Sequence, residues 1–339
     1  MNFAMWKKAL QVIPEVSKDE WDRLDIISRW LISTRAAVLI MTFISAALAG
    51  LFAWRDGSFS FLPWFALVFG LIMAHASNNI FNDFTDYVRG VDKDNYYRNI
   101  YGAQPIASGL MTKRQHLTYF AVTGLLALVA GLYLISVNSN DPVVWVLLGL
   151  GAFFVLFYTW PLKYIALGEV AVLLVWGPLM IGGGYYVLAH NWNWNVVLAC
   201  LPYALGVTTV IFGKHIDKLD KDKAKSIHTL PVVIGEKASR YTVLSMMVIP
   251  YFLTIYLIAV KFFTPIMLII FLALPTLWKM APVFFKPKPE TQPENQPGWP
   301  LYFVGYAFYN NRAFGMYFMT GLLLDIVLRI LPATQNFWR

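Results

Sequence analysis

Charge is scarce in this chain, and the shortage decides its class. Only 14% of its 339 residues are Asp, Glu, Lys or Arg, whereas a soluble domain carries about a quarter. With 58% hydrophobic and 17% aromatic residues, there is too little polar surface to enclose a water-soluble core. Cysteine is nearly missing as well. The single Cys200 lies in an apolar run, which excludes an intrachain disulfide and reads as an inert buried thiol. The first residues are amphipathic and charged, with no short apolar core followed by a small-residue cleavage site, so no cleavable signal is expected. A basic stripe interleaved with aromatics is also lacking. The net charge of +8 therefore does not mark a nucleic-acid surface, and no protein partner is indicated.

In place of charge there are long apolar segments of roughly 20 residues, each able to cross a bilayer as a helix. The expected fold is all-α, a polytopic membrane protein with about nine transmembrane helices. Residues 1–30 read as an interfacial segment, with Trp6, Trp21 and Trp30 suited to the membrane boundary. Residues 31–333 read as one transmembrane domain. Its spans are expected near 31–53, 61–82, 115–136, 143–160, 167–189, 195–213, 241–260, 264–284 and 313–331. The polar loops 83–114 and 214–240 are too long for plain connectors, and 286–311, rich in Pro, Lys and Glu, reads as a flexible loop. With the N-terminus in the cytoplasm and loops alternating, all but Arg55, Lys261, Arg329 and Arg339 of the 27 Lys and Arg fall on the cytoplasmic side. That asymmetry follows the positive-inside rule and puts the ends of the second and sixth spans on one face.

Both of those span ends are acidic. Asn79, Asp83 and Asp86 recur at i, i+4 and i+7, on one face of a helix. Like charges at that spacing repel, and a divalent cation turns the repulsion into coordination. Mg²⁺ commonly takes one or two carboxylates together with substrate phosphates. After the sixth span come Asp217, Asp220 and Asp222, among Lys214, Lys218, Lys221, Lys223 and Lys225. Asp217 and Asp220 share a helical face at i, i+3, and Asp222 needs a turn or helix end to join them. Carboxylates beside lysines suit Mg²⁺ and a polyanion such as diphosphate, with the bilayer holding an apolar tail. A solvated, salt-bridged loop is the plain alternative for the second cluster. Gly182-Gly183-Gly184 reads first as a site of close helix packing.

Taken together, these elements resemble the UbiA superfamily of intramembrane prenyltransferases over nearly the whole chain. The resemblance rests on Asn79-x-x-x-Asp83-x-x-Asp86, on Gln104-Pro105-Ile106-Ala107-Ser108-Gly109, and on the Asp-rich loop ending in Thr229-Leu230-Pro231-Val232-Val233-Ile234-Gly235. Lys163 to Glu169, followed by Trp176-Gly177-Pro178-Leu179, is most similar to the dihydroxynaphthoate prenyltransferases of menaquinone synthesis and their vertebrate relatives. The resemblance implies a multi-helix bundle in which Mg²⁺, held by Asn79, Asp83, Asp86, Asp217, Asp220 and Asp222, binds a polyprenyl diphosphate. The prenyl group would pass to a small aromatic acceptor, 1,4-dihydroxy-2-naphthoate being the expected one. Arg98, Lys163, Lys214, Lys218 and Lys221 are the expected cations against the diphosphate. Tyr158, Tyr185 or Tyr186 could shield the allylic cation, and Glu169 is either a base or a structural acid at a helix start. Two departures stand out. Counting back from Thr229 puts Lys214 and Lys218 where the family has motif residues, and Gln104 stands where the family has Arg. They leave open a terpene cyclase or a carotenoid or lipid prenyltransferase. An ion-coupled transporter is disfavoured, because Asp325 is the main carboxylate inside a span.

Overall fold

Apolar runs of sufficient length become helices because a bilayer leaves no other way to satisfy backbone polar groups. In the computed structural model, which describes residues 1–91, 102–294 and 299–331, eight helices are long and apolar enough to span. They are α4 (Ala36–Arg55), α5 (Phe61–Val88), α6 (Lys113–Val137), α8 (Gly168–Ala189), α9 (Trp194–Asp217), α12 (Glu236–Ala259), α13 (Pro265–Phe285) and α14 (Phe303–Ile330). Together with the shorter apolar α7 (Pro142–Phe157), they account for the nine expected crossings. Five short helices complete the set: α1 (Phe3–Gln11), α2 (Lys18–Arg23) and α3 (Ile26–Ser33) before the spans, and α10 (Leu219–Ala224) and α11 (Leu230–Ile234) between α9 and α12. No strand forms among the described residues, and Ile165 and His228 make one isolated bridge. The protein is an all-α, multi-pass membrane protein.

The helix boundaries refine the expected loops. α5 has 28 residues and so runs about 42 Å at 1.5 Å per residue. A hydrocarbon core is roughly 30 Å thick. The acidic motif therefore stays helical where it leaves the apolar layer, and residues 83–88 belong to the helix rather than to a loop. Likewise Lys214–Asp217 is the last turn of α9, not the start of a loop.

The chain divides into two compact units, Met1–Ala47 with Ser60–Pro161, and Leu48–Phe59 with Leu162–Arg339. In the first, α5 packs along α6, and the N-terminal helices bury Met5, Trp21, Leu24 and Ile32 against Ala103, Leu110 and Met111. Ala103 N–H donates to the Pro14 carbonyl at 3.2 Å, which fastens the N-terminal segment to the stretch carrying Gln104. Gly109, at φ +68°, closes the turn of that stretch, and a Thr112–Gln115 capping box then opens α6.

In the second unit α9 is the central helix, packed by α8, α12 and α14. α8 is π-helical over Val175–Gly182 around Pro178, whose missing N–H interrupts the regular ladder. A Cβ on Gly177 would lie 2.7 Å from Ala204 Cβ, and one on Gly182 3.2 Å from Val197 Cγ2. Glycine on α8 thus permits close packing on α9. Asp325, fully buried, accepts from Thr264 N–H at 2.6 Å and from Arg329 Nε at 3.2 Å. It clamps the start of α13. Tyr185 donates its hydroxyl to Asp56 at 2.8 Å, at the end of α4 where Arg55 covers the Phe262 ring at 4.0 Å.

Candidate active site

α5 presents its polar face as the helical spacing requires. Asn79, Asp83 and Asp86 are 6%, 2% and 2% exposed, so all three are withdrawn from solvent together. Asn79 Nδ2 donates to the Thr34 carbonyl at 2.8 Å. The next residue, Arg35, is left-handed at φ 53°, ψ 53°. That conformation is costly for a side chain other than Gly, Asn or Asp. It separates α3 from α4 and turns Arg35 toward α5. Its Nη2 pairs with Asp83 Oδ1 and donates to Gln104 Oε1 at 2.8 Å, while its Nε is enclosed without a hydrogen-bond partner. One guanidinium therefore joins the acidic face to the Gln104 stretch and keeps a donor in reserve. From α6, His116 Nε2 donates to the Ile80 carbonyl at 2.8 Å, holding α5 between Asn79 and Asp83.

The second cluster is organised differently. Asp217 ends α9, and both its oxygens accept backbone N–H groups at the start of α14, Oδ1 from Phe303 at 3.0 Å and Oδ2 from Val304 at 3.1 Å. Lys288 Nζ lies 3.5 Å from Asp217 Oδ1 and donates to the carbonyls of Asp217 at 3.3 Å and Pro300 at 2.6 Å. Burial holds the Lys288 ammonium below the ordinary lysine range, with Asp217 pulling the other way. A Cβ on Gly213 would lie 2.8 Å from Val304 N, so glycine is what lets the two helix ends meet. Asp217 is thus a helix cap. Lys218 breaks the helix, and Asp220 and Lys221 turn out to solvent. Asp222 returns to the interior at 3% exposure. Its Oδ1 pairs with Lys218 Nζ at 3.0 Å, and its Oδ2 is enclosed without a partner.

Among the other expected residues, Lys163 and Lys214 are half-buried, and Lys163 Nζ stands 5.8 Å from the Tyr164 ring centre. Glu169, 1% exposed, pairs with His215 Nδ1 at 2.5 Å and accepts Leu230 N–H at 3.2 Å. Arg98 lies outside the described residues. The structure adds Arg35 and His215 to the set. The first had a signal, a lone cation inside an apolar run, which in a membrane protein marks function by default. The second stood in plain view between Lys214 and Asp217.

Among the described residues no three His, Cys, Asp or Glu side chains are close enough to hold a metal by themselves. The donors are nonetheless those of a hard cation, carboxylate and amide oxygens, and the orphaned Asp222 Oδ2 is a coordination position without a protein partner. Such a set fits Mg²⁺, which usually binds one or two carboxylates and completes its shell from phosphates and water.

A model of the UbiA prenyltransferase family matches residues 43–296. The chain belongs to that family. It is 24% identical over 220 residues to the UbiA prenyltransferase domain-containing protein 1 homolog of Drosophila melanogaster, covering 64% of this chain and 59% of the fly protein. It is 28% identical over 220 residues to the 1,4-dihydroxy-2-naphthoate octaprenyltransferase of Escherichia coli K12, covering 62% of this chain and 70% of that enzyme. The match thus spans under two thirds of the fly relative's length. A solved structure of digeranylgeranylglyceryl phosphate synthase superposes with a TM-score of 0.58 at 17% identity, over 89% of this chain and 98% of that one. At that identity the likeness shows a shared fold alone. Arg35 lies outside the segment matched by the family model.

Proposed function

We propose that this UbiA-family protein transfers a polyprenyl group from an allylic polyprenyl diphosphate to an aromatic acceptor in a Mg²⁺-dependent reaction, with 1,4-dihydroxy-2-naphthoate as the acceptor. The observation that carries this reading is the buried face of α5. Two carboxylates and an amide are withdrawn from water beside a guanidinium, an arrangement that destabilises an apolar helix unless it binds something. The relative from Escherichia coli, named for prenylation of dihydroxynaphthoate, supports the acceptor.

In this reading Asn79, Asp83 and Asp86 would hold Mg²⁺ in the first unit, and in the second Asp222 is the acid proposed as a metal ligand while Asp217 anchors α14. When bound, Mg²⁺ supplies positive charge against the diphosphate, the Lewis-acid contribution of metal catalysis. The chain's own cations act on the same charge. Arg35 offers its unused Nε–H, and Lys218 its ammonium beside Asp222. The apolar spans exclude water from the allylic cation. Tyr158 is the ring proposed to stabilise that cation, because Tyr185 and Tyr186 stand about 25 Å along α8 from Glu169.

The test is an incubation of purified full chain with geranylgeranyl diphosphate, Mg²⁺ and 1,4-dihydroxy-2-naphthoate. Prenylated naphthoquinol is the expected product, with release of diphosphate and CO₂. Diphosphate released at the same rate with no acceptor, accompanied by a cyclic hydrocarbon, would replace transfer by cyclisation.

A further inference from the structure

A carboxylate, an imidazole and an open ring nitrogen stand in sequence at the junction of α8 and α9. Glu169 Oε2 accepts the Leu230 backbone N–H at 3.2 Å, and Oε1 faces His215 Nδ1 at 2.5 Å. Both oxygens act as acceptors, so the proton of the neutral imidazole sits on Nδ1 and the lone pair on Nε2. Glu169 and His215 are 1% and 3% exposed, and their contact fixes the ring against rotation. Nε2 has no hydrogen bond among the described residues and is not one of the enclosed unpartnered atoms, which include His116 Nδ1. Its lone pair therefore has neither a protein partner nor a seal.

The helix also separates this group from its acidic neighbour. His215 and Asp217 are two residues apart, about 200° around α9. Asp217 faces the start of α14, whereas His215 faces α8. Asp222, the carboxylate of this region proposed to hold Mg²⁺, lies on the next helix. His215 thus sits beside the second cluster without belonging to it.

We propose that His215 is a catalytic residue that accepts the hydroxyl proton of the aromatic acceptor, and that Glu169 is its positioning residue. The inference rests on the acceptor reading above. In the step concerned, a bond forms between the allylic carbon and a ring carbon. The carbon–oxygen bond to diphosphate breaks, with its electron pair leaving on the diphosphate. The hydroxyl proton of the acceptor passes to Nε2 as its O–H electron pair drives the ring carbon's attack. The carboxylate on that carbon then leaves as CO₂, and the freed electron pair restores the aromatic ring, whose oxygen takes the proton back. A carboxylate that fixes the tautomer and orientation of an imidazole, leaving the far nitrogen as base, is a recurring catalytic arrangement.

The experiment compares wild-type full chain with His215→Asn, His215→Ala and Glu169→Gln. Equilibrium binding of geranylgeranyl diphosphate with Mg²⁺ is measured alongside prenylation of dihydroxynaphthoate. The Asn side chain can still donate to Glu169, so His215→Asn keeps the local fold and its donor affinity. Its transfer rate is expected to fall about 10²- to 10⁴-fold. Added imidazole is expected to restore part of the rate to His215→Ala, which a purely structural role would not allow. Glu169→Gln is expected to lose less than His215→Asn. Wild-type transfer retained in His215→Asn, or loss of donor binding in step with turnover and no imidazole rescue, would overturn the assignment. Wild-type protein that alkylates no aromatic ring overturns the acceptor reading and this inference together. The two failures are therefore separable.

Discussion

The two acidic clusters of this protein look alike in sequence and differ in physical organisation. On α5 the acids share one continuous helical face and are buried together, with an external guanidinium brought to them by the left-handed Arg35. At the end of α9 the helix stops at Asp217, and the acids scatter. Asp217 caps α14, Asp220 faces solvent, and only Asp222 returns to the interior with a free oxygen. Clustering in sequence therefore does not amount to a ligand set. What distinguishes a ligand from a structural acid is where each oxygen already finds its hydrogen bonds.

That comparison can be broken from either side. The largest effect is expected for Asp83→Ala, which removes an acid from the ordered face. Turnover should fall at least about 10³-fold, the scale of losing an electrostatic group aimed at a developing charge, while the purified protein elutes as the wild type does. Full activity would remove Asp83 from the site. Next is Arg35→Ala, which leaves Asp83 buried without its counter-charge. Breaking a buried pair from one side costs about 3–5 kcal/mol, so thermal unfolding in detergent should shift down clearly. An unchanged midpoint would mean that Asp83 does not depend on Arg35.

Gly213→Ala probes the second region. Its methyl would meet the backbone of Val304, and overpacking of this kind costs about 1–3 kcal/mol. A lowered midpoint with proportionate loss of activity is expected. The smallest effect is expected for Asp217→Ala. It should lower stability by about 0.5–2 kcal/mol, the range for losing a helix cap, because Lys288 keeps its bonds to the carbonyls of residue 217 and Pro300, with turnover in the surviving folded fraction close to wild type. Loss of turnover at unaltered stability would make Asp217 a functional acid after all.

The sequence showed the spans clearly, because hydropathy and length alone impose them on a chain in a bilayer. It showed that Asn79, Asp83 and Asp86 share one face for a similar reason, since their spacing is local and the helix is uninterrupted. The reading failed where periodicity was carried past a helix end. Asp217 and Asp220 share a face only if α9 continues, and it stops at Asp217. Contacts far apart in sequence were also hidden. Asp217 reaches a backbone 86 residues on, and His215 a carboxylate 46 residues back, and no local pattern encodes either pairing. Arg35 was obscured because hydropathy registers an apolar segment but not the single left-handed residue that bends it. The 286–311 segment, expected to be flexible, contributes the fixed contacts of Lys288.

The central claim is that the acids of the second cluster divide the work, with Asp222 proposed as a metal ligand and Asp217 serving the fold. It is tested most directly by the Mg²⁺ dependence of diphosphate release from geranylgeranyl diphosphate in the presence of dihydroxynaphthoate, measured for Asp222→Asn and Asp217→Asn. The account predicts that Asp222→Asn moves half-saturation to much higher Mg²⁺ and that Asp217→Asn leaves it at the wild-type value. A shift in Asp217→Asn with none in Asp222→Asn would contradict it.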